Sequence, residues 1–467
     1  MLSTRLPHRA RREFWIFVGT ALASSALAPA CRAALRYSVT DLTALVAPTG
    51  AVTPTDINSA GQIVGQVTSA TESRGFFCNG QTTLLDPLPG SVYSLATALN
   101  STGQIVGSSD DGGIPKAAYW STAGAQPQAL PSGGGPDANV YATGINDQPT
   151  IVGFFTGSGS GNTKSWTAVK WQPDPSNPTR FRFTKLDTPV VPPAGAPAGA
   201  FGVNQLGTVV GSGAIDPVVP IQGPLRWNPI DQVTPLDTVV SDTLVVDYNP
   251  VAINDSLVAA GRLVTNTGDE RAVRWNADGS ALELGFPAGY NQSAALDINN
   301  QGLIVGHAST ASDSIAVSNF NSSWTNLNDL IVNAPNWHLD SAAAINDSGV
   351  IIGQGKLAGS PRAFLLTPIN PTLFGDYNQN GVIDAADYTV WRDTLGSTTD
   401  LRANGDNSGA SAGVIDQADY NFWKNHFGHF GSGAGANANA AAPEPATLVM
   451  LLAVILTMFV RRRVAVS

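Results

Sequence analysis

Residues that commonly carry chemistry are scarce in this chain. Its 467 residues include 2 cysteines and 5 histidines, and only 13% are charged. The motif H-E-x-x-H and the glycine-rich phosphate loop are absent from the sequence. His307 and His338 have no evident partner, so we expect each of them to serve at the surface or in packing. These absences argue against the common hydrolase and nucleotide-binding classes.

Cysteine is too rare to form an internal disulfide. Cys31 lies in an N-terminal segment that we expect to be removed, and this leaves Cys78 alone. Cys78 ends the apolar run GFFC, a setting typical of a small buried hydrophobic residue and not of a nucleophile.

The N-terminus carries an export signal. Residues 1–33 combine a basic start, an apolar run from Trp15 and small residues near the end. The pair Arg11 and Arg12 resembles a twin-arginine signal, and export by the general pathway stays open. A lipoprotein cut before Cys31 is disfavoured, because alanine stands where leucine is usual.

The C-terminal segment 443–467 has the order Pro-Glu-Pro, apolar run, arginine cluster. The apolar run, 447–460, has 14 residues, whereas a stable membrane span needs ~20. The arginines would stay on the cytoplasmic side. This order resembles a PEP-CTERM sorting signal. The resemblance implies transient contact with the inner membrane and removal by a sorting protease of the exosortase type; a plain anchor is the alternative.

Without its two ends the chain is strongly acidic. Removing 1–33 and 443–467 leaves 17 basic and 33 acidic residues, a net charge near −16. Such a chain is repelled by nucleic acid and by anionic lipid, so we expect no nucleic-acid partner.

Glycine and proline are abundant, with 48 and 31 residues, which indicates short strands and many turns. A motif of the form I-N-x-x-G-x-I-V-G recurs seven times, at intervals of 42 to 58 residues. Periods near this length are typical of propellers and solenoids. The seven motif asparagines are Asn58, Asn100, Asn146, Asn204, Asn254, Asn299 and Asn346.

Each interval also contains an A-x-x-W strand, such as 168–171, and a strand ending in leucine, such as 183–186. With the segments on either side of the Asn, this makes four short strands, the content of a propeller blade. A leucine-type strand, 37–42, precedes the first motif, and an A-x-x-W-type strand, 362–365, follows the last. We therefore predict a seven-bladed all-β propeller, closed as the C-terminal strand joins the three N-terminal strands; an open solenoid is the alternative.

The Asn and Gly of the motif have a structural interpretation. Asn can begin a hairpin turn by bonding the backbone two residues on, and glycine accepts a positive φ at the end of the turn. Pro149 and Leu257 replace this glycine in two copies, so we expect those two turns to differ. A ring of amides that binds a ligand is the alternative. The tandem pattern over 36–368 resembles the HAF repeats of bacterial extracellular proteins, which implies an exported surface protein and no particular activity.

The composition changes after Pro371, at a motif with calcium-loop spacing. Residues 376–387, DYNQNGVIDAAD, place oxygen-bearing side chains at loop positions 1, 3, 5, 9 and 12, with Gly381 at position 6. A short helix follows and is capped by Gly396. The predicted ligands are the side chains of Asp376, Asn378, Asn380, Asp384 and Asp387 and the carbonyl of Val382.

A second copy, over 406–427, has a loop that is longer by two residues. Asp416 and Asp419 match the end of the first loop, while Asp406 and Ser408 stand near its start, so we expect weaker binding. Two loop–helix copies without a preceding helix resemble a type I dockerin. That resemblance implies a small α-helical domain with one Ca²⁺ site, a weaker second site and a cohesin-like partner. A calcium-stabilised spacer is the alternative.

We therefore expect a repeat domain over 35–370, a dockerin-like domain over 371–430 and a flexible linker over 431–442. The function favoured is that of a non-catalytic exported protein of the cell surface or extracellular matrix, with an extracellular polysaccharide or a cohesin-like domain as partner. The alternative is a carbohydrate-active propeller enzyme, a polysaccharide hydrolase or lyase, that carries a dockerin. A glycosidase needs two carboxylates ~5–9.5 Å apart in a cleft, and most aspartates here lie in turn-like settings.

Three long loops are candidates for a ligand face, because binding residues are often carried on loops. They are 130–141, 154–166 and 187–200. The interpretation we favour is that they are tolerated surface insertions.

Overall fold

The structure is a computed structural model, which describes residues 36–47, 50–135, 137–156, 166–190, 197–218, 222–239, 244–320, 323–332, 334–369, 375–378, 383–404 and 413–427. Up to residue 369 it contains seven separate four-stranded antiparallel sheets. The predicted export signal, linker and tail lie outside the described residues. In the described ranges, no helix is both long enough and apolar enough to cross a membrane.

Each sequence segment occupies the same strand position in every blade. The segment before the motif Asn forms the innermost strand: β2 (Ala51–Ile57), β6 (Ser94–Leu99), β10 (Val140–Ile145), β14 (Gly199–Val203), β18 (Val245–Ile253), β22 (Gln292–Ile298) and β26 (Trp337–Ile345). The segment after it forms the second strand: β3 (Ile63–Thr68), β7 (Ile105–Asp111), β11 (Ile151–Thr156), β15 (Val209–Ala214), β19 (Ala259–Thr265), β23 (Ile304–Ser309) and β27 (Ile351–Leu357).

The A-x-x-W and leucine segments form the outer half of each blade. The third strands are β4 (Ser73–Cys78), β8 (Ile114–Trp120), β12 (Trp166–Asp174), β16 (Gln222–Trp227), β20 (Glu270–Trp275), β24 (Ser314–Phe320) and β28 (Ser360–Ile369). The outermost strands are β5 (Thr82–Leu84), β9 (Gln128–Ala129), β13 (Asn177–Lys185), β17 (Val233–Pro235), β21 (Ala281–Glu283), β25 (Ser323–Asn326) and β1 (Arg36–Asp41). The inner strands of neighbouring blades contact one another around a closed circle. The chain is therefore a seven-bladed β-propeller.

The ring is closed by pairing of the two ends of the array, but the split of the closing blade differs from our prediction. β1 pairs antiparallel with β28 from Arg36↔Ile369 to Asp41↔Phe364, in a sheet of order β1-β28-β27-β26. The N-terminal end thus supplies one strand and the C-terminal end supplies three, the reverse of the expected division. In the fold, a blade begins with the strand before the motif Asn. A repeating sequence does not mark where one blade ends and the next begins.

Apolar side chains of the motifs fill the layers between blades. Val210 of one blade packs with Ile253 and Leu263 of the next, and Val305 packs with Ile345 in the same way. Cys78 is 5% exposed and packs in such a layer, as predicted for a small buried hydrophobic residue.

The tryptophans of the A-x-x-W strands tie each blade to the one before it. The four described A-x-x-W tryptophans, Trp120, Trp171, Trp227 and Trp275, are fully buried. Each indole N–H donates to a backbone carbonyl just after the outer strand of the preceding blade; Trp120 Nε1, for example, lies 2.8 Å from the oxygen of Asp86. A buried indole N–H is stable only with such an acceptor. Because the preceding blade supplies one in each of these four cases, the tryptophan recurs at the same position.

Four short helical segments complete the described chain. α1 (Leu42–Val46) follows β1 and is capped by the carboxylate of Asp41, which accepts from the backbone N–H of Ala44 at 3.0 Å. A 3₁₀ turn (Leu327–Asp329) follows β25. The C-terminal part contains α2 (Ala385–Thr394) and α3 (Gln417–His426).

Candidate functional site

The seven motif asparagines form one closed hydrogen-bonded circle, called here the Asn ring. Each Asn Oδ1 accepts a backbone N–H within its own turn; Asn58 Oδ1, for example, accepts from Ala60 and Gln62 at 3.1 and 3.0 Å. Each Nδ2 then donates to the main-chain carbonyl of the motif Asn in the next blade, at 2.9–3.2 Å. The last of these bonds, from Asn346 to Asn58, closes the circle. All seven side chains are at most 7% exposed.

These contacts confirm the predicted hairpin role and add an inter-blade role that a single turn does not reveal. Because both ends of every amide are bonded inside the protein, the Asn ring is structural, and a ligand-binding ring of amides is not supported. Five of the seven turns end in a glycine with φ between +76° and +80°.

The expectation that both exceptional turns differ is wrong for Leu257. It adopts φ +62°, and its N–H donates to the carbonyl of Asn254 at 3.1 Å, as Gly61 does to Asn58 at 3.0 Å. The turn at Pro149 does differ, because proline has no N–H for that bond, although Asn146 still accepts from Thr150 at 2.9 Å.

Four of the six ligands predicted for the first calcium loop lie in the described residues: Asp376, Asn378, Asp384 and Asp387. Asp384 is the N-cap of α2 and accepts from Ala386 at 2.7 Å, while Asp387 accepts from the N–H groups of Asp384 and Asn378 at 2.8 and 2.9 Å. Asp387 is fully buried. Burial, together with the charges of Asp376 and Asp384, raises the pKa of Asp387 to about 6. The capping box thus holds two carboxylates, those of Asp384 and Asp387, at one end of the helix.

The second unit repeats the first. Asp416 caps α3 and accepts from Ala418 at 2.7 Å, and the buried Asp419 accepts from the N–H of Asp416 at 2.8 Å. The two units are cross-braced: Trp391 of α2 donates to the carbonyl of Asp416 at 2.8 Å. Trp423 of α3 donates to the carbonyl of Asp384 at 3.1 Å.

A small apolar core joins the two units. It contains Tyr377, Ile383, Trp391, Ile415 and Trp423, with Ile383 and Ile415 at equivalent loop positions and both fully buried. Gly396 follows the C-cap residue Leu395 with φ +81°, but its N–H donates to the carbonyl of Ile415 at 2.8 Å, so this glycine links the two units and does not cap α2 by a hydrogen bond.

Four of the predicted ligands, Asn380, Val382, Asp406 and Ser408, lie outside the described residues. In the described part of the chain, no group of three or more His, Cys, Asp or Glu side chains is arranged to hold a metal ion. The residues present nevertheless fit a hard divalent cation, because mutually repelling carboxylates meet at the buried end of a helix and all donor atoms are oxygen.

The strand ends that the three long loops join lie on one face of the propeller. Antiparallel strands put the Asn turns at one face and the second-to-third-strand and blade-to-blade connections at the other. We call the latter the loop face. The strand ends joined by the loops 130–141, 154–166 and 187–200 all reach this face around the third blade, β10–β13.

Aromatic side chains meet at that point of the loop face. The rings of Phe154 and Trp166 stack at 4.6 Å with planes 6° apart, and Tyr141 lies 5.1 Å from Phe154. Phe201 of the neighbouring blade meets Phe154 edge-on at 6.3 Å. Trp166 is 40% exposed, whereas the other three rings are half-buried. We call these four residues the aromatic cluster.

The two histidines have partners that the sequence did not show, so that part of our expectation is wrong. His338 Nε2 lies 3.5 Å from Asp313 Oδ1 and 3.3 Å from Asp340 Oδ1. His307 Nε2 lies 3.7 Å from Glu270 Oε2, and burial lowers the pKa of His307. Asp340 lies two residues after His338 on the same strand, whereas Asp313 and Glu270 come from other parts of the chain, which a linear motif cannot indicate.

Two aspartates beside the Asn ring have strongly raised pKa values. Burial raises the pKa of Asp56 to about 6, and burial together with the charge of Asp56 raises the pKa of Asp297 to about 7. Each carboxylate accepts its own following N–H and one N–H of the next blade: Asp56 from Leu99 at 2.9 Å, Asp297 from Ile345 at 2.8 Å. They therefore act as inter-blade acceptors.

Comparison with known proteins finds no matching family and no matching curated relative. Among solved structures, the chain is similar to a virginiamycin B lyase from Staphylococcus aureus, at 13% identity and TM-score 0.44, over 72% of this chain and 100% of that one. It is also similar to the β-propeller domain of the Trilobed protease from Pyrococcus furiosus, at 7% identity and TM-score 0.45, over 68% and 97% of the two chains.

An oligogalacturonate lyase in complex with manganese is similar as well, at 11% identity and TM-score 0.44, over 72% and 96% of the two chains. These neighbours include enzymes, but likeness at this level carries no argument about activity. The functional argument depends on the residues of this chain.

Proposed function

We propose that this chain is a non-catalytic, exported surface protein. Its propeller binds a ligand or acts as a spacer, and its C-terminal unit is a calcium-dependent adaptor resembling a dockerin. The observation that carries the proposal is the pair of cross-braced loop–helix units, each with a buried aspartate at the capping box of its helix. Ca²⁺ held by such loops would neutralise the clustered carboxylates and fix the two helices for a partner.

Two features support a binding or spacing role for the propeller. The most regular polar residues of the chain, the seven motif asparagines, are occupied by the Asn ring. The strand ends that the long loops join and the aromatic cluster lie together on the loop face, where an extracellular polysaccharide is the partner we favour. The sorting signal would place the protein in the cell envelope and release it from the inner membrane by removal of 443–467.

Calcium titration of the full chain tests the adaptor part. We expect Ca²⁺ to bind at one strong site, measured by calorimetry, with the second loop contributing weakly. Asp387→Asn should abolish the strong site, because it removes a buried ligand charge. Asp393→Asn is the matched control: this aspartate lies on the same helix, is largely exposed, and forms its only ion pair within the described residues with Arg392.

Absence of Ca²⁺ binding by the folded wild-type chain would sink the adaptor proposal, and so would equal loss in both variants. Mass spectrometry of native protein tests the sorting part, with 443–467 expected to be missing. An intact tail would favour a plain anchor.

A further inference from the structure

At two repeat positions, the third blade has an aromatic residue of the cluster where the other six blades have none. Phe154 directly follows the last glycine of its motif, and the residues at the same position of the other six blades are polar: Gln66, Ser108, Ser212, Arg262, His307 and Gln354. Trp166, three residues before the strand partner of that glycine, likewise has polar or proline counterparts, such as Ser73 and Gln222. The departure from the repeat therefore needs a local explanation.

Buried packing does not supply that explanation. Trp166 is 40% exposed although Phe154 covers one face of its indole at 4.6 Å, so the exposed fraction lies on the opposite face and the edges. The tryptophans of the A-x-x-W strands are instead fully buried, with their N–H groups bonded to the preceding blade. The indole N–H of Trp166 donates no hydrogen bond to any of the described residues.

The backbone next to the cluster is adapted to it. At Gly199, a Cβ would lie 2.7 Å from Cζ of Phe201 and 3.7 Å from Cδ1 of Phe154. Any larger residue would push Phe201 away from Phe154. The small residue and the four rings thus lie together at the junction of the third and fourth blades, on the loop face.

The chemistry of this surface suits a sugar. An indole face carries partial negative charge and is apolar, so it attracts the C–H groups of a pyranose ring, while the hydroxyls stay in water or bond to nearby polar groups. Nucleic-acid bases also stack on aromatic rings, but they need a basic groove, and this chain has a net charge of −10. The same charge repels acidic glycans.

We infer that the aromatic cluster of Tyr141, Phe154, Trp166 and Phe201 is a stacking subsite for a neutral polysaccharide. Trp166 presents the exposed indole face on which one sugar ring lies. Phe154 holds that indole flat, and Tyr141 and Phe201 hold Phe154. This inference deepens the proposed function, because it names the site and the ligand class of the propeller.

Affinity electrophoresis of the full chain in gels containing xylan, glucomannan or hydroxyethylcellulose tests the inference, with polygalacturonate as the acidic probe. We expect retardation by at least one neutral polymer. Trp166→Ala should weaken that binding about tenfold, as expected for loss of a stacking contact, and Trp166→Phe should retain part of it. Phe286→Ala is the matched control, because Phe286 is 38% exposed in a connection on the same face and has no ring contact with another described aromatic residue.

Each outcome decides the matter. Equal binding by wild type and Trp166→Ala would overturn the subsite while leaving a binding propeller intact. Retardation by polygalacturonate alone, or by no polymer when circular dichroism shows a folded chain, would also overturn it. The calcium titration is independent of these results, so failure of the subsite and failure of the adaptor proposal are distinguishable.

Discussion

The Asn ring permits a sharp test, because the chain contains the same turn with and without the inter-blade bond. The turn at Asn58 and the turn at Asn228 match bond for bond: each Oδ1 accepts from the second and fourth following N–H, and each Nδ2 donates to the glutamine four residues on. They differ in one bond, from Asn58 Nδ2 to the carbonyl of Asn100 at 2.9 Å. Asn58 is 7% exposed, whereas Asn228 is partly exposed.

The expected magnitudes follow from these bonds. Asn228→Ala removes three turn bonds, two accepted from backbone N–H groups and one donated to Gln232, and their partners can turn to water, at a cost of about 1–2 kcal/mol in the free energy of unfolding. Asn58→Ala removes the equivalent three bonds and also leaves the buried carbonyl of Asn100 without its donor, which adds about 1–3 kcal/mol. The difference between the two variants is the contribution of one link of the Asn ring.

The measurement is urea unfolding of the full chain, followed by circular dichroism in the β-sheet region and by tryptophan fluorescence. Asn58→Asp supplies a second comparison, since it keeps the turn acceptor and replaces the donor by an oxygen that faces a carbonyl. We expect Asn58→Asp to be destabilised at neutral pH and partly restored in acid, where the protonated carboxyl can donate. Equal costs for Asn58→Ala and Asn228→Ala would refute the structural importance of the ring.

Three further predictions concern the stability of the folded chain. The pKa values of Asp56 and Asp297 are raised in the folded state, so the folded chain binds more protons than the unfolded chain between pH about 4 and 7. The stability contributed by these two groups therefore falls as pH rises through that window. Replacing both by alanine, the residue found at that position in three sibling blades, should flatten the dependence by on the order of 2–4 kcal/mol in pH-resolved urea titrations; an unchanged slope would contradict it. Leu257→Gly should raise the free energy of unfolding by about 1 kcal/mol in urea titrations, since it relieves a left-handed leucine at φ +62°, and a loss of stability would argue against strain there. Gly306→Ala should lower the free energy of unfolding by more than about 3 kcal/mol, because its Cβ would overlap the carbonyl of Ala294. Gly302→Ala, at φ +78° with open space around it, should lower it by about 1–2 kcal/mol. Similar melting curves for the two variants would count against this explanation.

Local regularity explains why much of the fold was predictable. Hairpins at the motif Asn, four strands in each unit and seven units all depend on residues close together in sequence, and the structure has all three. Closure was predictable because each end of the array lacks what the other has. The division of the closing blade was not, since the repeat has no internal mark for the innermost strand.

The aromatic cluster was only half visible in the sequence. The long loops that frame it were identified, but the rings come from β10, β11, β12 and β14, and only the sheet register brings them together. A comparison of the repeats position by position would have shown a phenylalanine after the last motif glycine in one blade alone. Asp340 stands two residues after His338, so that partner was visible in the sequence, whereas Glu270 and Asp313 are brought to the histidines only by the fold.

The sequence by itself determined the blade count, the turn chemistry and the order of segments, because hydrophobic alternation and Asn-Gly turns act over a few residues. Only the tertiary structure decided which groups meet across blades. Asn58 and Asn346 are 288 residues apart, yet Nδ2 of one lies 3.0 Å from the carbonyl of the other. That contact exists because the chain curves into a closed circle, and a buried amide is stable there only if its donor and acceptor are both satisfied by the next blade.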